Sequence, residues 1–156
     1  MENLVIRKAK PDDLEILLQF EQGVITAERP FDETLKDGDI HYYDLAAMIN
    51  SPTVEVVVAE LAGQIAGSGY ARIETAKPYN KHEQHAYLGF MYVVPQHRGK
   101  GINAEIINAL MKWAASKGIT ELTLEVYDQN TSAIKAYEKI GFKKQLVKMR
   151  LGLTNE

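Results

Sequence analysis

Cysteine is missing from all 156 residues, which excludes disulfides, thiolate metal sites and a cysteine nucleophile. Long apolar runs are missing too: none approaches the ~20 residues that a membrane span needs. Nor is there an excess of positive charge. A net charge of −3 and a pI of about 5.8 argue against a general nucleic-acid binder. The opening Met1-Glu2-Asn3-Leu4 has neither a basic region nor an apolar stretch, so no secretory leader is expected and the default compartment is the cytoplasm. Repeats, low-complexity tracts and linker-like stretches are absent, which predicts one domain over residues 1–156. The 46% apolar and 25% charged residues are ordinary for a soluble globular chain long enough to bury a core.

What is present reads as alternating element types. Residues 4–8 predict a short strand. Pro11 suits the first position of a helix, with Asp12 and Asp13 at its positive end, Leu14, Leu17, Leu18 and Phe20 on its apolar side, and Gly23 weakening its end. A second helix is expected over 41–49, closed by Asn50-Ser51-Pro52. Residues 54–61 and 64–74 read as a hairpin about Ala62-Gly63, with Gly67 and Gly69 marking a bulge or a close backbone approach. A loop over 75–85 leads to a strand over 86–94, in which Gly89 is read as a bulge. A helix over 103–117 closed by Gly118 makes the next strand, 120–127, parallel to the one before it. A helix over 131–140 stopped by Gly141 precedes one strand or two over 142–153. The order β-α-α-β-β-β-α-β-α-β(β) predicts a mixed α/β fold: a mostly antiparallel sheet with one parallel strand pair, not a doubly wound one.

The chain is organised around the stretch from Tyr92 through Pro95 to Gln96-His97-Arg98-Gly99-Lys100-Gly101-Ile102. A β-branched run passes a proline, enters a loop with two glycines one residue apart, and becomes a helix. The first amides of a helix have no acceptor within it, and the helix dipole adds about half a positive charge there. Gly99 and Gly101 let a ligand approach without meeting a Cβ, while Arg98 and Lys100 add charge. This pattern predicts a phosphate or pyrophosphate site. A P-loop is excluded, because no hydroxyl residue follows Lys100-Gly101. The dinucleotide fingerprint is matched in letters by Gly99, Gly101 and Ala104. Yet residues 95–98 separate its first glycine from the strand, and no run of βαβ units follows. A basic surface turn before an ordinary helix is the plain alternative.

A second pattern runs from Asn130 to Phe142, with Asn130 and Tyr137 seven residues apart on one helix face. Taken alone, Asn130 is a helix cap and Tyr137 a packing residue. Taken together, Gln96-x-x-Gly99-x-Gly101 and Asn130-x-x-Ala133-x-x-x-Tyr137-x-x-x-Gly141-Phe142 resemble the two signatures of the GNAT superfamily of N-acetyltransferases, in the order found there. The resemblance covers residues 86–151. It implies a GNAT-like fold with acetyl-CoA between the parallel strands ending at Val94 and Tyr127. Backbone groups of Met91, Tyr92 and Val93 would pair with the pantetheine arm, and Gln96, His97, Arg98, Gly99, Lys100, Gly101 and Ile102 would take the pyrophosphate. Asn130 would contact the cofactor and Tyr137 would sit near its sulfur. Many members carry a small Gly-Ser/Thr pair after the loop. Here Asn103-Ala104-Glu105 stands in its place, and Glu105 must point away from the anion.

The reaction implied is direct attack of a primary amine, on a small molecule or a peptide, at the thioester. A lysine-like amine has a pKa near 10.4, so its neutral form at pH 7 costs about 4.6 kcal/mol. In some members a Glu at the start of the strand before the glycine loop removes that proton. The matching position here is His85, with His82 and Glu83 as neighbours, and a solvated loop is the plain reading of the same patch. His82 and His85 lack a third ligand nearby, so no metal is expected. Tyr137 would give its proton to the leaving thiolate. The family chooses its acceptor with the segments that correspond to 21–44 and 75–85. Glu28, Asp32, Glu33, Asp37, Asp39 and Asp44 suit a cationic amine there, and solvated surface explains them equally well; Tyr42, Tyr43 and Tyr79 wall a pocket or pack. Homodimers are common in the family. A non-catalytic CoA-binding module and a redox enzyme using the dinucleotide letters are the alternatives.

Overall fold

The computed structural model describes residues 3–154. Met1 and Glu2 of the opening, and both ends of the expected 1–156 domain, lie outside the described residues. The β-branched and apolar runs pair into one sheet in chain order: β1 (Leu4–Lys8), β2 (Val54–Leu61), β3 (Gln64–Thr75), β4 (Gln84–Val93) and β5 (Leu122–Leu124). The first four are antiparallel neighbours, and β5 lies parallel to β4. The fold is the mixed α/β arrangement that the element order predicts.

Side-chain alternation gives the sheet two apolar faces. Val54, Val56 and Val58 of β2, Tyr70 of β3 and Phe90 of β4 pack with Leu17, Phe20 and Val24 of α1 (Leu14–Glu28) and with Leu45 and Ile49 of α2 (Leu45–Ile49). The other face receives α3 (Ile102–Ser116), whose buried side is Ile102, Ile106, Ile107, Leu110 and Ala114. Burying an Ile or Leu fully is worth about 1.5–3 kcal/mol, so this stripe holds α3 against the sheet. Gly67 and Gly69 make the close approach expected of them: a Cβ at Gly69 would stand 2.7 Å from Cγ2 of Ile106. Arg7 of β1 forks onto Asp13 at 2.8 and 2.9 Å, ahead of α1.

Several elements differ from expectation for local reasons. Gly23 lies inside α1 and does not weaken its end; it lets the helix approach β4, where a Cβ would come 2.5 Å from the Tyr92 ring. The second helix begins only at Leu45, capped by Asp44, because the amides of Tyr42 and Tyr43 are taken by Glu21 instead. The bulge of β4 falls one residue beyond Gly89. Tyr70 pairs with Gly89 and Ser68 with Tyr92, so Phe90 and Met91 together oppose Gly69. Phe90 takes φ +59°, and the buried Ser68 hydroxyl donates to its carbonyl at 3.2 Å. Gly89 makes room for the Tyr70 ring, which a Cβ would meet at 2.7 Å.

The described residues divide into two compact bodies, one running to Glu125 and one from Val126. The second holds α4 (Thr131–Ile140) and no strand among its described residues. The strand expected over 142–153 is not formed: Leu146, Val147, Met149, Leu151 and Leu153 are 73–89% exposed. Its alternation fixes which side chains share a face but supplies no hydrogen-bonding neighbour. Among the described residues, no helix is long and apolar enough to cross a membrane.

Candidate active site

At the end of β4 the chain makes a single 3-10 turn, Pro95–His97, and then the two-glycine loop. Gly99 and Gly101 take φ +76° and +84°, a left-handed backbone that side-chain-bearing residues adopt only under strain. Beyond the adjoining residues of the chain, nothing lies within 4 Å of where a Cβ would be built at either glycine. Gly101 is the N-cap of α3 and provides no side-chain cap, so the first amides of the helix face outward with the positive end of its dipole. Lys100 Nζ lies 3.2 Å from Nδ1 of His97, beside these amides. Arg98 folds back: its Nε donates to the Val93 carbonyl at 2.8 Å and its guanidinium lies 5.5 Å over the Tyr92 ring. One lone pair of that carbonyl is therefore engaged, and Arg98 braces the strand end. Glu105 is exposed in the first turn of α3, and its amide bonds the Gly101 carbonyl. An uncapped helix head behind two open glycines fits a diphosphate.

The ladder between β4 and β5 runs over residues 86–88 and 122–124, while β4 itself continues to Val93. Beyond Leu88, then, the strand reaches the bulge at Phe90 and the glycine loop with no β5 ladder partner. The α1/α2 face of this region carries a row of polar and aromatic groups. Glu74 Oε2 accepts from Arg72 at 2.7 and 2.9 Å, and Glu74 Oε1 lies 3.0 Å from Nε2 of His85. Together, hydrogen bonds from Arg72 and His85 outweigh burial and hold the Glu74 carboxyl below its ordinary pKa. The Arg72 guanidinium lies 5.6 Å over Tyr70 and 5.4 Å over Tyr87. Tyr87 donates to Glu125 at 3.2 Å. Burial first, then the Glu125 charge, pushes the Tyr87 phenol far above the usual tyrosine range. Of the expected proton acceptors, His85 belongs to this row, whereas Glu83 is exposed and its carbonyl accepts from the Ala76 amide.

In the second body, Asn130 caps α4, its Oδ1 accepting from the Ala133 amide at 3.3 Å. Tyr137 is half-buried, with its ring 6.0 Å from that of Phe142. The Phe142 amide bonds the Tyr137 carbonyl at 3.0 Å and the Gly141 amide reaches Glu138 at 3.1 Å, the paired bonds that close a helix through a left-handed glycine.

Sequence reasoning missed Glu21, Arg72, Glu74 and Tyr87, and it weighed Glu125 only with the dinucleotide letters, not as the partner of Tyr87. Glu21 is fully buried and accepts from the amides of Tyr42 and Tyr43 at 2.8 and 2.9 Å, with His41 Nδ1 at 2.8 Å. Part of the acidic charge in the 21–44 segment does structural work. Asp44 caps α2, and Asp32 accepts from the Thr34 amide. Burial raises the pKa of Glu28.

The sequence profile of the acetyltransferase (GNAT) family matches residues 21–142. The chain is 30% identical to an acetyltransferase of Sodalis glossinidius, SG1711, over 109 residues, which is 70% of this chain and 71% of the relative. It is 38% identical to mouse thialysine N-epsilon-acetyltransferase over 58 residues, 37% of this chain and 34% of that protein. The chain spans only 22–34% of the length of the first curated relatives it matches. Among solved structures, one described as a predicted acetyltransferase with acetyl-CoA, from Clostridium acetobutylicum, superposes with a TM-score of 0.73 at 22% identity, covering 96% of each chain.

Proposed function

The chain belongs to the acetyltransferase (GNAT) family, and from that premise we propose that it moves an acetyl group from acetyl-CoA to a primary amine of a small molecule or peptide by direct attack. The observation that carries this reading is the head of α3. It is uncapped, entered through two left-handed glycines, and set where β4 has already left its ladder with β5. The amides of residues 97–102 hold the pyrophosphate, with Gln96, His97 and Lys100 around it. The backbone of Met91, Tyr92 and Val93 pairs with the pantetheine arm as an added strand would, and the bulge at Phe90 turns the β4 groups toward it. The solved relative with acetyl-CoA supports the choice of cosubstrate, and the thialysine enzyme supports an amine acceptor.

Chemistry needs two proton transfers besides binding. The ammonium of the acceptor must lose a proton before its nitrogen can attack, and His85 and Glu83 are the acceptors that the sequence offers. The departing thiolate takes a proton from Tyr137, a phenol protonated at neutral pH facing a thiol whose pKa is near 8.5. Asn130 contributes by fixing the start of α4, on which Tyr137 rides.

The test is release of free CoA thiol from acetyl-CoA across a panel of amines, for the parent chain and for Tyr137→Phe. The parent is expected to turn over with at least one amine. The variant is expected to bind acetyl-CoA normally with kcat lower by roughly 10²-fold, the scale of losing a general acid. No thiol release with any amine would contradict the transferase, and a variant changed only in KM would remove Tyr137 from the acid role.

A further inference from the structure

We infer that Glu125, held in place by Tyr87, is the group that takes the proton from the attacking amine; the inference rests on the acetyltransferase reading and deepens it. Strand register carries it. Leu88 is level with Leu124, so one further step along each parallel strand brings Glu125 level with Gly89, next to the bulge at Phe90. On the proposed reading the pyrophosphate sits at the glycine loop and the pantetheine arm runs back past residues 93–91. The thioester then falls beside residues 89 and 90. His85 lies five residues before Phe90, about 16 Å away along the strand, and Glu83 lies further still. A general base must come within about 3 Å of the proton it takes, or reach it through one water. His85 also already holds Glu74 through Nε2.

Glu125 meets the remaining requirements. It is exposed, so an acceptor reaches it from solvent. Its Oε1 accepts from the Tyr87 hydroxyl at 3.2 Å, which fixes the carboxylate and leaves Oε2 for the amine. Tyr87 stays a donor across the neutral range, because burial and the adjacent carboxylate both oppose its ionisation. The Arg72 guanidinium lies 5.4 Å over the Tyr87 ring and packs against it. In the step itself, the nitrogen lone pair forms the C–N bond and the C–S bond breaks. Of the two protons that the ammonium nitrogen gives up, one passes to Glu125 and on to solvent. The other ends on the sulfur through the general acid.

The experiment compares Glu125→Gln and His85→Gln with two acceptors, one lysine-like and one whose amine pKa is near 7. For the lysine-like amine, Glu125→Gln is expected to lower kcat by about 10²-fold, with acetyl-CoA affinity by calorimetry unchanged. For the weakly basic amine, already half neutral, the loss is expected to shrink to roughly a few fold. On the lysine-like amine His85→Gln is expected to lose less than Glu125→Gln, and Glu125→Asp should recover part of the rate, which separates lost chemistry from a misfolded chain. Three results would overturn the assignment: parent-like kcat in Glu125→Gln, an equal loss on both amines, or the large loss moving to His85→Gln. A parent that acetylates neither amine would instead sink the transferase reading beneath it.

Discussion

Glu21 has none of its side chain exposed, and it is the acceptor for two backbone amides and one imidazole. Replacing it with alanine leaves the amides of Tyr42 and Tyr43 without their acceptor, and a buried donor without a partner costs about 1–3 kcal/mol. Glu21→Ala is therefore expected to lower stability by at least about 2 kcal/mol, seen as a lower urea midpoint at unchanged slope. An unchanged midpoint would show that the 41–43 segment does not depend on this carboxylate. Helical spacing puts Glu21 on the buried face of α1 with Leu17, Phe20 and Val24, but the amides it accepts from lie 21 and 22 residues further on, beyond the reach of any local pattern. The Tyr87–Glu125 pair was hidden for the same reason: the two residues are 38 apart and meet only through the register of a parallel ladder.

At the scale of elements, local signals were readable and long-range ones were not. The conformation of the glycine loop could be read because it is written within a few residues: an uncapped helix start and two positions of positive φ. The bulge was placed one residue early, since Gly89 serves the Tyr70 ring while Phe90 carries the distortion. The Asn130 to Phe142 signature has a structural part. Asn130 caps α4 at its start, and Gly141-Phe142 closes it with the Phe142 ring against Tyr137. Gly141 takes φ +126°, so Gly141→Ala should cost about 1 kcal/mol or more at this helix end. The readout is hydrogen exchange at the Phe142 amide, which should speed up several-fold as its bond to Tyr137 weakens. Exchange at the parent rate would mean that the closure does not need glycine.

For the whole molecule, element order was enough to give the sheet. A run of antiparallel strands followed by one helical crossover leaves a single parallel pair, whose ladder ends at Leu88 while β4 runs on to the glycine loop. Element lengths were harder to read. The strand expected over 120–127 pairs only at 122–124, and the alternating segment after α4 stays exposed, because apolar alternation names a face and not a neighbour. The account of function then comes down to a diphosphate held by backbone amides at the head of α3. Amide spectra of nitrogen-labelled protein titrated with acetyl-CoA test this directly. The account predicts saturable shifts at His97 through Ile102 and at Met91 through Val93, and none with NAD. Loop amides that stay still while acetyl-CoA binds elsewhere, or that respond equally to NAD, would contradict it.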